Sequence, residues 1–498
     1  MLTTRSLEKR LPAVLWLALS GCELVPTTET MASLSSSSDA NRLPAAAAAW
    51  NSKYYYVSPS GSDANDGHSS ASAFQTIDQL NRQTFKKGDR ILFETSKTFT
   101  GSLKLQGNTT LDATQPVLIT TYSAADEAVA ADTAKAVIVT SGSEPALSLT
   151  DFPGVEVANL RLVNGGTSKL GVDVNVVSSA KAVAHTTLAN LEVIGFSELG
   201  IALRSVNHQG LRDVVVDKCL LHDNGSAGLM SYADTWPELT HANFTITNTK
   251  AYHNEGTGST EKNSGSGIVL SSVSGAVIDH CEAYANGAKN GHSGGGPMGI
   301  WCYDAQHVTI QFCESHHNVT SLDADGGGFD IDGGSAYCTI QYCYSHDNQG
   351  EGYGLFEYGS PNAWHDNTLK FNLSVNDGLR AGLGSIAFWA LNGSTITKAT
   401  VANNTVVGAL GFRIDNNNAS NIVLVNNIVS ATTFSNTTNF AGFQLSKNYT
   451  GAVAFVDGYH LPRGSPLATS GKSLGPDRQA VDYYQQPLQG SYPIGASK

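Results

Sequence analysis

Two aspartates separated by one isoleucine, Asp330 and Asp332 in the stretch GGGFDIDGG, have the types and spacing to do chemistry. In a strand, residues i and i+2 share a face, with Cα atoms about 6.6 Å apart. Glycosidic-bond hydrolysis uses such a pair. One carboxyl donates a proton and the other acts as base or nucleophile, at about 6.5–9.5 Å for inversion or about 5–5.5 Å for retention. Crowding raises the pKa of one member, which suits it to be the acid. Asp323 and Asp325 lie just before the strand and Glu357 downstream, each able to substitute for either role, while Asp304 ends the previous coil. Asp323, Asp325 and Asp304 also compose a candidate Ca²⁺ site. A third reading leaves the aspartates as turn-closing residues among glycines.

Polysaccharide lyases need different groups: a base for the proton α to a uronate carboxylate, and a cation or metal to neutralise that carboxylate. Residues 290–369 contain no Lys or Arg, and Lys289, Lys370, Arg380 and Arg413 are the nearest cations in the chain. A cation-driven lyase is therefore disfavoured, while a Ca²⁺-assisted one stays open.

A repeat positions these residues. The segments VVVDKCLLHDN, FTITNTKAYHN, AVIDHCEAYAN, VTIQFCESHHN, CTIQYCYSHDN and NTLKFNLSVND align on one apolar column: Val216, Ile246, Ile278, Ile310, Ile340 and Leu369. The column extends to Val157 and Leu188 before, and to Val401 and Leu424 after, with spacings of 23 to 32 residues. Each unit is a coil that cannot bury its own apolar face, so stacking must close the core. A second column, Leu221, Ala251, Ala283, Ser315, Ser345 and Ser374, reads as a tight inner corner. Asn224, Asn254, Asn286, Asn318 and Asn348 fall at a repeated turn, where Asn tolerates left-handed backbone and bonds to the next coil. Cys219, Cys281, Cys313 and Cys343 form a ladder of small buried side chains rather than disulfides or ligands. The column His222, Tyr252, Tyr284, His316 and His346 reads as a surface stack.

Short strands broken by Gly and Asn exclude helical solenoids, and the predicted fold is an all-β parallel β-helix. The surplus in each repeat falls after the Asn column and emerges on one face. The following strands, GLMSY, GIVLS, GIWCY, GFDID, GLFEY, SIAFW and GFRID, then carry two exposed columns. One holds Met230, Val269, Trp301, Asp330, Phe356, Ala387 and Arg413; the other holds Tyr232, Ser271, Tyr303, Asp332, Tyr358, Trp389 and Asp415. Trp301, Tyr303, Phe356, Tyr358, Trp389 and Arg413 are the predicted substrate-binding residues, with rings stacking on sugar faces. In this register Glu357 points inward, where an unpaired carboxylate is costly.

The chain as a whole, 498 residues with 15% charged residues and 50 glycines, is too apolar for disorder. A formal net charge of −13 argues against nucleic acid and anionic membrane surfaces as partners. Residues 1–22 read as a leader: Arg5, Lys9 and Arg10 precede LPAVLWLAL, too short to span a bilayer. The segment ends in LSGC and resembles a bacterial lipoprotein signal, which implies lipidation of Cys22 and a cell-envelope location, at the outer membrane or cell surface, or secretion. Residues 23–52 are Ser/Thr/Ala-rich and suit a tether, leaving 53–498 as the folded domain.

Residues 54–81, YYYVSPSGSDANDGHSSASAFQTIDQLN, together with 86–105 and the late segments GSPL and PIGA, resemble the right-handed parallel β-helix (pectate-lyase-like) carbohydrate-active proteins. That resemblance implies a right-handed helix of strands with a short N-terminal capping helix. It leaves the chemistry open, since the group includes hydrolases, lyases, epimerases and phage-spike domains. The expected protein is a monomeric, extracytoplasmic glycoside hydrolase acting on a polysaccharide and requiring no cofactor. A Ca²⁺-dependent polysaccharide lyase on a uronate polymer and a non-catalytic glycan-binding surface protein stand as alternatives.

Overall fold

The ten-residue apolar column becomes one row of a parallel sheet in the computed structural model, which describes residues 52–123, 135–322, 325–380, 382–391, 393–415, 418–474, 481–488 and 492–497. Val157, Leu188, Val216, Ile246 and Ile278 are successive register partners. Ile310, Ile340, Leu369, Val401 and Leu424 continue the row. All ten are 0–1% exposed. The row belongs to a 14-stranded sheet built from one strand per coil. A second ladder of three-residue strands follows the inner corner, and a third ladder of longer strands carries the groove. The last two join at Thr405–Asp415, which pairs with both Leu373–Val375 and Ile386–Ala390. Asn51–Lys498 forms one compact unit. The leader and tether, with Cys22, lie outside the described residues (Ser52 apart). Among the described residues no helix is long and apolar enough to cross a membrane.

Near the start, Thr76 caps a single helical turn, Ile77–Leu80, by accepting from Gln79 N. Ile77 and Leu80 are buried against the first coils together with Phe74, Phe85 and Leu103. At the other end Ile494 packs against Ile428 and Leu461.

Each turn is held by a side-chain ladder. Asn224, Asn254, Asn286, Asn318 and Asn348 are buried; Nδ2 of each of the first four donates to Oδ1 of the next at 2.9–3.1 Å, and Asn348 Nδ2 donates to Asp377 Oδ1 at 2.8 Å. Left-handed backbone was expected at these asparagines. It falls instead one residue earlier, at Asp223, His253, Ala285, His317 and Asp347, with φ of 52–56°. That residue turns outward, which frees the asparagine to point in and satisfy backbone groups of two coils. Asn318→Ala removes the Nδ2 bonds to Asn348 and Ala283 O and orphans Asn286 N. We expect a loss of about 2–4 kcal/mol in urea unfolding, and a loss below about 0.5 kcal/mol would show that the ladder contributes little.

The six described cysteines are buried and free. Cys219, Cys281, Cys313 and Cys343 direct their thiols at backbone carbonyls 3.5–3.6 Å away in the preceding coil. Outside, His222, Tyr252, Tyr284, His316 and His346 stack face to face at 4.6–5.0 Å, with ring planes within 8°.

Candidate functional site

The glycines that open the groove strands answer to the inner corner. A Cβ on Gly299 would lie 2.0 Å from Ser315 Oγ, and one on Gly328 would lie 2.3 Å from Ser345 Oγ. Only a bare backbone passes there, so the strand leaves the corner in a fixed register and its outward positions are set. Phe329 and Ile331 point into the core and are fully buried. Asp330 and Asp332 point out of the core, into the groove.

Across neighbouring coils Trp301 pairs with Asp330, Asp330 with Gly354, Gly354 with Ala387, and Ala387 with Arg413. Phe356 pairs with Trp389, and Trp389 with Asp415, in the row of Asp332. The predicted columns therefore slip by one pleat at a single strand, Tyr353–Glu357. Gly354, not Phe356, stands beside Asp330, and a Cβ there would approach Asp330 Oδ1 to 2.7 Å. Tyr358 falls beyond the strand, with its ring against Gly333.

The predicted exposure also needs correction, because the groove floor lies below the surface. Asp330 is 2% exposed, Glu351 1%, Trp301 6% and Phe356 8%. A cavity of about 560 Å³ is lined by Asp325, Asp330, Asp332 and Glu351, by Trp301, Tyr303, Phe356, Tyr358 and Trp389, and by Arg413 and the loop His292–Gly296. Asp330 Oδ1 and Glu351 Oε1 are buried with no hydrogen-bond partner among the described residues. Burial, then the charges of Asp332, Asp325 and Glu351, pushes Asp330 well above the usual carboxylate range. Burial raises Asp332 to about 8, against a bond from Gly333 N, with Asp325 and Glu357 adding to the rise. Burial and Asp325 raise Glu351 to about 8. Asp325 is raised by burial as well, but it alone of the four accepts from a backbone N–H across the groove, Gly296 N at 2.6 Å, and is drawn down by both Arg413 and Arg380.

Two predicted carboxylates are occupied elsewhere. Glu357 does point inward, and its oxygens accept from Gly334 N, Gly359 N and Ser360 N at 2.6–3.0 Å, so it closes two turns instead of facing substrate. Asp304 is fully buried and accepts from Trp236 Nε1, Asn362 Nδ2, Ser360 Oγ and Tyr358 OH. Four donors leave it no lone pair suited to Ca²⁺, and its work is to hold Tyr358 and the Trp236 loop at the groove wall. Asp323 lies outside the described residues. Among the described residues, Asp325, Asp330, Asp332 and Glu351 do not gather three carboxylate oxygens within 4.8 Å of one another, the closeness that one cation of oxygen-liganding type needs.

Trp301 donates to Ser266 Oγ and packs with Leu199, Val269 and Met298, so it supports the floor more than it offers a face to a ligand. Tyr303, Tyr358 and Trp389 keep partial exposure. The expected lack of cations near the acids does not hold in space: Arg413 lines the cavity although it follows Asp330 by 83 residues. Sequence reasoning missed Glu351. Its signal was an acid set among glycines, QGEGYG, in the insertion one coil after the one that places Asp325 before its strand.

A second cavity, about 1300 Å³, shares Met230, Asn263, Trp301 and Tyr303 with the first. The two form one groove, running from the strand Leu199–Ser205 to Thr405–Asp415.

A family model for the right-handed β-helix region matches residues 174–375, and the fold is a right-handed parallel β-helix. Among solved structures the chain is similar to the GH136 lacto-N-biosidase of Eubacterium ramulus, at 19% identity and a TM-score of 0.55, covering 80% of this chain and 68% of that one. It is also similar to the A-module of the Azotobacter vinelandii mannuronan C-5 epimerase, at 15% identity and a TM-score of 0.53, covering 73% and 91%. At such identities the likeness is one of fold. A search of curated proteins with this sequence found no match.

Proposed function

We propose that this protein cleaves a polysaccharide as a glycoside hydrolase, at the sunken acid cluster of the groove. The supporting observation is the split among four carboxyls. Asp330, held protonated by burial and by its acidic neighbours, is the proton donor to the leaving oxygen. Asp325, the carboxyl served by Gly296 N–H and two arginines, is the ionised base or nucleophile. Burial and the charge of Asp325 keep Asp330 protonated, and Asp332 and Glu351 add their charges once they ionise above about pH 8. Tyr303, Tyr358 and Trp389 bind sugar faces. Hydrolysis needs no metal in this scheme. The continuous groove favours an extended glycan, gripped on both sides of the scissile bond and cut internally. Lipidation at Cys22 would hold a monomeric enzyme at the cell envelope, with the tether giving it reach.

A second reading, a polysaccharide lyase, is favoured by one observation: Arg413 and Arg380 beside the acids offer the charge that a uronate carboxylate requires. A panel of neutral, amino-sugar and uronate polysaccharides separates the two. Hydrolysis predicts new reducing ends, mid-length products first, and no unsaturated-uronate absorbance, with activity unaffected by chelator. Unsaturated products would establish the lyase. Saturable binding with no cleavage of the panel would overturn both.

A further inference from the structure

A buried carboxylate holds an exposed ring at the side of the groove. Trp236 follows the strand Ala227–Ala233 and is 49% exposed, the one tryptophan among the exposed large apolar side chains of the described residues. Its indole N–H donates to Asp304 Oδ2 at 2.7 Å, reaching past the intervening strand Ser266–Ser271 to the end of Met298–Tyr303. Tyr358 OH, from the groove wall, donates to that same oxygen. The other oxygen of Asp304 accepts from Ser360 Oγ and Asn362 Nδ2, and the Asn362 amide also donates to Pro237 O at 2.8 Å. Residues 234–240 are closed on themselves as well, by the Thr235 and Thr240 hydroxyls at 2.5 Å and by Glu238 N on Thr235 O at 3.1 Å.

The two glycines after the aspartate pair leave room for this arrangement. A Cβ on Gly333 would lie 2.5 Å from the Tyr358 ring, and one on Gly334 would lie 2.1 Å from Asp304 Oδ1. Asp304 itself takes left-handed backbone, with φ of 42°, an uncommon conformation for a residue with a side chain. Burial is the folding reason for a large apolar side chain, and Trp236 forgoes half of it. Its ring is instead fixed in place beside Tyr358, which lines the cavity of the acid cluster. A ring ordered in advance loses little freedom when a ligand lies on it.

We propose that Trp236, with Tyr358 beside it, forms a sugar-stacking subsite on the side wall of the groove, which takes the apolar face of a neutral or amino-sugar pyranose. The inference rests on the groove being a polysaccharide site, and adds to that reading a residue and a class of sugar. Indole offers the broadest apolar face of any side chain, and its N–H is already satisfied, so only the face is left for the ligand. Charge sets the class. The turn carries two exposed carboxylates, Asp234 and Glu238, the second facing His208 at 2.7 Å. Arg212, the cation bonded to this turn, uses Nη1 on the carbonyls of Leu211 and Thr240. A uronate carboxylate would meet like charge here, while a neutral ring or an ammonium group would not.

The test uses full-length protein carrying Asp330→Asn, run in native gels cast with galactan, xyloglucan, glucomannan, chitosan or polygalacturonate. Wild type is assayed on the same five for new reducing ends. Retardation is expected in at least one of the first four and not in polygalacturonate. Added Trp236→Ala should raise Kd for the retarding glycan about 10-fold, and Trp236→Phe, which keeps a ring without the N–H, by less than about 3-fold. In the active enzyme the same Trp236→Ala change should raise KM about 10-fold and leave kcat within about 2-fold. Circular dichroism checks that both variants fold. Unchanged affinity in Trp236→Ala, or an equal loss in Trp236→Phe, would overturn the subsite, and retardation by polygalacturonate alone would overturn its sugar class. Trp236-dependent binding without cleavage by wild type would uphold the subsite and overturn the hydrolase. Cleavage with unaltered kinetics in Trp236→Ala would do the reverse, and neither retardation nor cleavage with any of the five would overturn both.

Discussion

Asp330→Asn is expected to lower turnover on the cleaved polysaccharide by about 10³-fold or more, while KM stays within a few-fold. A positioned general acid contributes roughly 10²–10⁴ to rate, and burial with acidic neighbours holds this carboxyl in its acid form. The amide has the shape of the neutral carboxyl but cannot surrender a proton to the glycosidic oxygen. Its fold cost should be small: Asp330 Oδ1 has no partner to lose, and Gly354 leaves room beside it. The companion substitution Asp325→Asn removes the base and should be as damaging to kcat. Asp332→Asn retains the donor and the base, and should cost less. Steady-state kinetics of the three, with circular dichroism to confirm folding, ranks them. Wild-type rates for Asp330→Asn would remove it from the mechanism, and loss at Asp332 alone would transfer the acid role there.

What could be read from residues alone follows what physics makes periodic. The column Val157 to Leu424 was legible because every coil must bury one apolar residue at one level, and every pair in it is formed. Inward and outward faces of the groove strands were legible for the same reason, down to the inward Glu357. Register across the strand Tyr353–Glu357 was not. Gly350, Gly352 and Gly354 alternate, so each offers the same parity for the strand entry. The structure uses Gly352, whose carbonyl accepts from Phe329 N at 2.9 Å. That choice depends on the corner geometry, which no local pattern encodes. Proximity between coils was likewise hidden: Arg413 reaches the acids across three strands, and Asp304 is claimed by Trp236 and Asn362 from distant loops. Both depend on how insertions fold over the groove, where the repeat gives no information.

The acid cluster should leave a mark on stability that is independent of any substrate. Glu351 has a pKa of about 8 in the folded chain, against about 4.3 when unfolded. Between those values the folded state holds the proton more tightly than the unfolded state does. Stability from this group is therefore complete below about pH 4, falls as pH rises, and levels off above about pH 8. Glu351→Gln removes that titration. Relative to wild type it should gain on the order of 3–5 kcal/mol between pH 4 and pH 8.5, the upper end corresponding to the full shift at about 1.4 kcal/mol per unit. Urea unfolding at a series of pH values measures the difference, and parallel curves for the two proteins would show that Glu351 ionises freely in the fold. The same variant tests why the cluster persists. With Glu351 neutral at every pH, Asp330 has one charged neighbour fewer, and the alkaline limb of the activity profile should move to lower pH. A group that costs stability at neutral pH, and that on ionising above about pH 8 delays the loss of the Asp330 proton, is explained by catalysis and not by folding.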